Sequence, residues 1–538
     1  MAHGAETSQA GSLARTLVQT PEQVAAALEA FLAEYPAAVV LEDGKVLFDM
    51  RAAKYSLSTE HGRCTLHLWG EERNLVRRVS AAVARGKALR LSTHRFGQTK
   101  PQTLELAGDL DRRTPSTREM TRVRYLKVLE RVLGRQFPEW RCEAFRTAMD
   151  LEKSLGPAYA RGLLVQGMKA WAVIGVNGAE TQATIDGVLT LGILWLESCR
   201  EASAKRVVQG LKVVLPGGMG TLTLSRMAWL AGERAAWELW ELDSAEETLE
   251  LRDVGDQGNV RTRLSYAPNV SAVRERFAGS AARVMALVPE SRRGDVDQRV
   301  RGGMEMAFLL HGLEFARVRM AAGVGAFNRV EEVTVGSGPR ETPLTEENEG
   351  MLREMVARLF ARRGAAGDKR DPLYRAQPER WLEGELRRDV TVIDAHLDAE
   401  HVYAQVPAFA ASDRGMMDLL SVSNDGRLAV LELKADEDLQ LAMQGLDYWV
   451  RVRWHHLQHA DAASGLGEFQ RHGYFRDVRL SELEPRLYLV APALRIHPAT
   501  EVVLRYISAR VEWTLVAVDE RWRHKVKVVW RKRAVRAV

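Results

Sequence analysis

The sequence predicts a multidomain α/β protein whose C-terminal part is a helix–strand–strand–strand–helix core on a mixed sheet. Three observations carry that expectation. The chain has 538 residues, enough for several domains of ordinary size. It is 46% hydrophobic and 27% charged, the balance of a globular protein. Between residues 371 and 538, short apolar runs alternate with helical patterns, and Asn424-Asp425-Gly426 supplies a hairpin turn between two of those runs.

Residues 1–115 read as a small α/β or β-rich domain. Gln23 to Glu34 has helical periodicity, and AAVVLEDGKVLFDM is a hairpin around Glu42-Asp43-Gly44. GRCTLHLWG, KALRLSTHRFG and QTLELAG read as strands, and EERNLVRRVSAAVARG as an amphipathic helix stopped by Gly86. Residues 116–345 form a middle α/β domain without an assigned role. There KAWAVIGVNG and GLKVVLPGG are buried strands on either side of a helix containing Asp186 to Cys199. Residues 346–370 read as a helix and a linker: TPLTEENEGMLREMVARLFARRG opens at Thr342-Pro343, and AAGDKRDPLYRAQP is a polar connection.

Residues 371–538 carry the chemistry. ERWLEGELRRDV is a helix; HVYAQVPAF, GMMDLLSVS and RLAVLEL are strands; Glu437 to Leu457 is a helix. Side chains alternate across a strand, so Glu432 and Lys434 share a face with Leu428 and Val430. Asp418 on the preceding strand approaches the same point if the hairpin register allows it. Two converging carboxylates repel unless a cation lies between them, and oxygen ligands favour magnesium or manganese. A neighbouring lysine stabilises developing negative charge. Gln444 and Tyr448 are four apart on the following helix and face the same way, where they can hold Lys434, a bound water or a DNA phosphate, and Glu383 on the helix before the sheet can add a metal ligand through water.

Asp418, then Glu432-Leu433-Lys434, then Gln444-x-x-x-Tyr448 resembles the PD-(D/E)xK nuclease superfamily. MMDLLSVSNDGRLAVLELK, with the downstream glutamine, is most similar to the catalytic domain of NucS-type endonucleases. The resemblance spans residues 380–460 and departs at the proline position, where Met417 stands. It implies a restriction-endonuclease-like αβββα core and a hydrolase that cuts single-stranded, branched or mismatched DNA with Mg2+ or Mn2+. It further implies that Asp418, Glu432 and the carbonyl of Leu433 hold the metal. Lys434 would face the phosphate and the attacking water, and Gln444 would match the glutamine of the family's motif helix. The other class of function is a catalytically inactive DNA-binding or assembly protein on the same scaffold.

Net charge is +5, which permits an anionic partner without requiring one. The C-terminal segment is more telling. Lys525, Lys527, Arg531, Lys532 and Arg533 are interleaved with Trp522 and Trp530, which suits a phosphate backbone or, equally, an edge strand protected by charge. The expected partner is DNA, a homodimer is left open, and a membrane is not expected, because the longest apolar stretch, IDGVLTLGILWL, is too short to span one. Cys64, Cys142 and Cys199 have no CxxC spacing, which fits a reducing cytoplasm.

Three further motifs are read as ordinary structure. His455, His456 and His459 are placed on an exposed helix end, since no HExxH accompanies them. Gly217, Gly218 and Gly220 mark a tight turn, with no Gly-Lys-Ser/Thr to make a nucleotide loop. Glu314 in LLHGLEFARVRM raises a degenerate second nuclease core in the middle region, although Arg317 stands one position too far to copy Glu-x-Lys.

Overall fold

The structure is a computed structural model. It describes residues 19–42, 45–50, 53–69, 74–85, 87–94, 102–108, 115–150, 154–203, 205–255, 262–322, 329–336, 341–410, 413–457 and 466–534. It is mixed α/β and divides into two compact units, residues 1–129 and 130–538.

The first unit is an antiparallel sheet of seven strands. Their order is Lys45–Asp49, Val39–Glu42, Gln102–Ala107, Ala88–His94, Asn74–Arg85, Cys64–Trp69 and Lys54–Ser58. The helix Pro21–Glu34 starts at a capping box between Thr20 and Gln23 and buries Val24, Leu28, Phe31 and Leu32 against the sheet. The hairpin predicted at Val39 forms, with residues 43 and 44 of its turn outside the described residues. The segment read as an amphipathic helix is instead the strand Asn74–Arg85. Its register slips between Val79 and Ala81, so the inward phase shifts and Leu75, Val79 and Ala82 acquire a spacing that imitates a helix.

The second unit holds three sheets among the described residues. In the middle one, strands Arg141–Arg146, Tyr159–Gln166, Lys169–Val176, Val207–Pro216, Ala236–Asp243 and Thr248–Arg252 lie side by side in chain order. In the C-terminal one, strands Tyr403–Ala410, Asp413–Val422, Leu428–Leu433, Arg486–Pro492, Trp513–Val518 and Val528–Arg533 also follow chain order. The short strand Thr262–Leu264 is added beside Tyr403–Ala410. The two sheets share one apolar core, built largely by helices Val188–Ala202 and Leu441–His456. Val188–Ala202 is apolar almost all round, as a helix buried between layers must be. Asp186 closes a separate short helix, Gln182–Asp186.

The third sheet, Val296–Gly302, Glu305–Leu310, Leu313–Ala322, Arg329–Val335 and Thr342–Pro343, packs around Phe308, Phe315 and Phe360. Thr342-Pro343 is thus a strand end, and the helix expected there begins at Glu349. The turn His311-Gly312 presses on the helix Pro378–Arg388. A Cβ on Gly312 (φ 78°) would lie 2.3 Å from the Arg380 carbonyl carbon, and the His311 ring stacks 4.5 Å from Trp381. Fully buried Arg363 donates to the carbonyls of Leu310, His311, Leu373 and Ala376. The polar stretch after Gly364 is therefore tied down by backbone acceptors in a packed setting.

Candidate functional site

Asn424-Asp425-Gly426 makes the turn that sets the site, with Gly426 at φ +78°. It fixes the antiparallel register Leu419↔Leu431 and Leu420↔Val430, so the next step places Asp418 opposite Glu432. The Leu428–Leu433 strand continues parallel to Arg486–Pro492, which buries it on both edges and both faces. Leu431 and Leu433 face one core and Leu428 and Val430 the other, as alternation requires. Glu432 is 2% exposed, on the side of the Leu441–His456 helix, where its Cβ lies 3.5 Å from the position of a Cβ on Gly445.

The carboxylates are crowded. Asp418 Oδ2 accepts from the backbone N–H of Leu433 at 2.9 Å. Glu432 Oε1 accepts from Lys434 Nζ at 3.1 Å. Among the described residues Glu432 Oε2 and Gln444 Oε1 are buried without a hydrogen-bond partner. Burial raises the Asp418 carboxyl to about 6, with the charge of Glu383 adding to it. Burial, and then Asp418, push Glu432 well above the ordinary carboxylate range. Lys434 is driven down by its own burial, but Glu432 and Glu379 outweigh this and raise it, so it remains an ammonium ion. Burial and the nearby charges of Glu432 and Asp418 raise the Tyr448 phenol, which stays protonated.

Sequence reasoning missed the groups around this centre. Glu379 and Asp438 approach Lys434 at 3.9 and 3.8 Å. Glu379 is one helical turn before Glu383, so that position was legible. Glu383 is 1% exposed and is clasped by Arg299 at 2.6 Å, by Arg380 at 3.0 Å and by Gln405. Arg299 comes from the third sheet, 84 residues upstream, and no local pattern announces it. Gln405 holds a left-handed backbone (φ 55°) in the strand beside Asp418, a strained conformation for a residue with a Cβ.

The basic C-terminal strand Val528–Arg533 lies at the edge of the sheet, three strands from Leu428–Leu433. Arg531 donates to the carbonyls of Ile393 (2.9 Å) and Val392 (3.1 Å), and Lys532 pairs with Glu501. Lys525, Lys527 and Arg533 are exposed. His455 is not on an exposed helix end: it is 2% exposed, bonded to Thr262 and to Glu468 at 2.9 Å. His456 bonds the Leu483 carbonyl at 3.1 Å, and His459 lies outside the described residues. At the glycine turn, Gly218 has φ +76°, and the amides of Gly218 and Gly220 donate to Glu241, each at 3.1 Å. An internal carboxylate takes the place a phosphate would need.

The donor set fits a hard divalent cation: two carboxylates, one of whose oxygens is orphaned, beside a side-chain amide oxygen that is also orphaned. No group of three or more His, Cys, Asp or Glu able to hold a metal occurs among the described residues. A centre of two carboxylates and a backbone carbonyl does not require one. Among the described residues no helix is long and apolar enough to cross a membrane. No family model, curated protein or solved structure matches the chain.

Proposed function

We propose that this chain is a Mg2+- or Mn2+-dependent DNA endonuclease of the PD-(D/E)xK kind, with its reactive centre at Asp418, Glu432 and Lys434. The observation that carries the reading is the Asp418–Glu432 pair. Two acids side by side, Glu432 fully buried with an unpartnered oxygen and Asp418 partly buried, are costly to a fold and are relieved by a divalent ion. Asp418, Glu432 and the backbone carbonyl of Leu433 would hold that ion, which supplies Lewis-acid polarisation of the phosphate and an acidified water when bound.

The remaining roles follow from charge and position. Lys434, an ammonium ion beside Glu432, stabilises negative charge developing on the phosphate. Gln444 and the protonated Tyr448 orient groups at the mouth of the site. Glu383 acts from behind: two arginines and Gln405 occupy its oxygens, so it raises Asp418 without needing to ligate. Lys525, Lys527 and Arg533 remain free to meet DNA, while Arg531 and Lys532 secure the sheet edge. The sequence resemblance supports single-stranded, branched or mismatched DNA as substrate, in repair or defence, and the three free cysteines suit a reducing cytoplasm.

The test is cleavage of end-labelled single-stranded, duplex, mismatched and forked DNA with Mg2+, Mn2+ or EDTA, wild type beside Glu432→Ala. Metal-dependent cutting lost in a folded variant supports the reading. Binding without cutting in any condition replaces it with a DNA-binding scaffold.

A further inference from the structure

The middle and C-terminal sheets of the second unit follow the same plan. In each, the first strand is antiparallel to the second and the second to the third, the third pairs parallel with the fourth, the fourth parallel with the fifth, and the fifth antiparallel with the sixth. In each, a long helix follows the third strand and a shorter one the fourth. Such agreement in order, sense and crossover is far narrower than membership of a fold class.

The register can be matched residue by residue. Gly445 and Gly192 sit within the long helices where a Cβ would strike the strands below, at 2.4 Å from Leu489 for one and 2.8 Å from Leu211 for the other. Their next neighbours include Glu432 and Ile174 respectively. Glu432 pairs with Leu489 and Ile174 with Val213, and three residues later both strands end in proline, Pro492 and Pro216. In this register Ile174 stands for Glu432, Val176 for Lys434, Leu191 for Gln444 and Trp195 for Tyr448. Arg161, opposite Ile174, stands for Asp418.

The two copies meet about an approximate twofold axis. Leu230 bridges Ile507, with Ala231 N–H donating to Tyr506 and Ser508 N–H donating to Trp229, both at 2.8 Å. Arg200 lies over the Tyr506 ring, and Arg453, its counterpart, lies over Trp229. At the helix starts, Gln440 meets its counterpart Gly187 and accepts from Thr190 at 2.6 Å. The bridge and the two arginine–ring contacts are answered by their equivalents, as in an isologous dimer interface, while the Thr190–Gln440 bond is not, because Gly187 has no side chain.

We propose that residues 141–252 are a second copy of the 403–533 fold that has lost its chemistry, and that the two form an in-chain pair. The protein then works as a monomer that brings one reactive centre to a DNA duplex and cuts one strand per binding event. The strand-count part rests on the nuclease reading; the in-chain pair rests on topology alone. In the middle copy every acid of the motif is gone. Arg161 is fully buried, donates to the Ala148 carbonyl at 2.7 Å and lies 5.8 Å from the Trp195 ring centre, so a guanidinium fills the place of the cation site. The degenerate core therefore lies here and not around Glu314, whose carboxylate is engaged by Arg301 and Arg317.

Two measurements on the full chain decide this. Sedimentation equilibrium at micromolar concentration should return the 60.2 kDa monomer, and a homodimer, which would bring two reactive centres together, would overturn the single-centre monomer. Supercoiled plasmid with Mn2+ should pass to open circle, with linear DNA only after a second, independent nick. Linear DNA formed in parallel with open circle from the first time point would overturn the single-strand cut. Absence of any cutting would remove that part together with the nuclease reading, leaving sedimentation to decide whether the chain acts as a monomer.

Discussion

Asp418 accepts a hydrogen bond from the Leu433 amide at 2.9 Å, which anchors its carboxylate one residue from Glu432 on the neighbouring strand. The contact ties an acid from one strand to the backbone between the other acid and Lys434. The site is therefore assembled by strand pairing, and its geometry is as rigid as the sheet.

If Glu432 holds the proposed metal, Glu432→Gln should lower cleavage by a factor on the order of 10³, the scale for losing a group that stabilises transition-state charge. It should not lower the melting temperature of the metal-free protein, because a buried carboxyl with an orphaned oxygen is replaced by a neutral isostere. Thermal unfolding in EDTA beside a cleavage assay checks both halves. A clear drop in melting temperature would mean that the carboxylate is structural.

The pH dependence has a definite sign. The Asp418 carboxyl rises from 3.8 to about 6 in the folded chain, so the folded state holds its proton more tightly than the unfolded one. Stability without metal should fall as pH climbs through that window. The proposed divalent ion would bind the deprotonated pair, so the magnesium-induced rise in melting temperature should be small near the bottom of the window and grow above it. A shift of equal size throughout would contradict the assignment.

Arg299 and Glu383 form a buried pair at 2.6 Å that fastens the third sheet to the helix behind the site. Arg299→Met should cost about 1–3 kcal/mol, because Arg380 and Gln405 still hold Glu383, and Arg299→Met with Glu383→Leu should recover most of it. Denaturant unfolding of the single and double variants measures the coupling. Failure of the double variant to recover would show that the loss comes from the other ion pair of Arg299, with Asp297 at 3.0 Å.

Gly445→Ala should destabilise by about 1–3 kcal/mol, although alanine favours helices by up to about 1 kcal/mol over glycine. The added methyl would meet Leu489 Cδ2 at 2.4 Å. Chemical denaturation reads the change, and a stabilised variant would mean that the helix can lift from the sheet.

The C-terminal site was legible because it is local: one turn at Gly426 sets the register of Asp418 against Glu432, and one helix places Gln444. Arg299, Gln405 and Thr262 were not, since they reach Glu383 or His455 through tertiary packing that leaves no periodic trace. Asn74–Arg85 was misread because a bulge gave a strand the spacing of a helix. The likeness of the two sheets was hidden for another reason: Arg161, Ile174 and Val176 share no chemistry with the residues they replace, and only strand order and register align them.

The most direct measurement is a calorimetric titration of Mn2+ into the wild type, Glu432→Gln and Asp418→Asn at neutral pH. Binding in the wild type, abolished in both variants with folding intact, is the result expected if the paired carboxylates exist to hold a cation. Binding that survives both substitutions, or no binding in the wild type, would contradict the account.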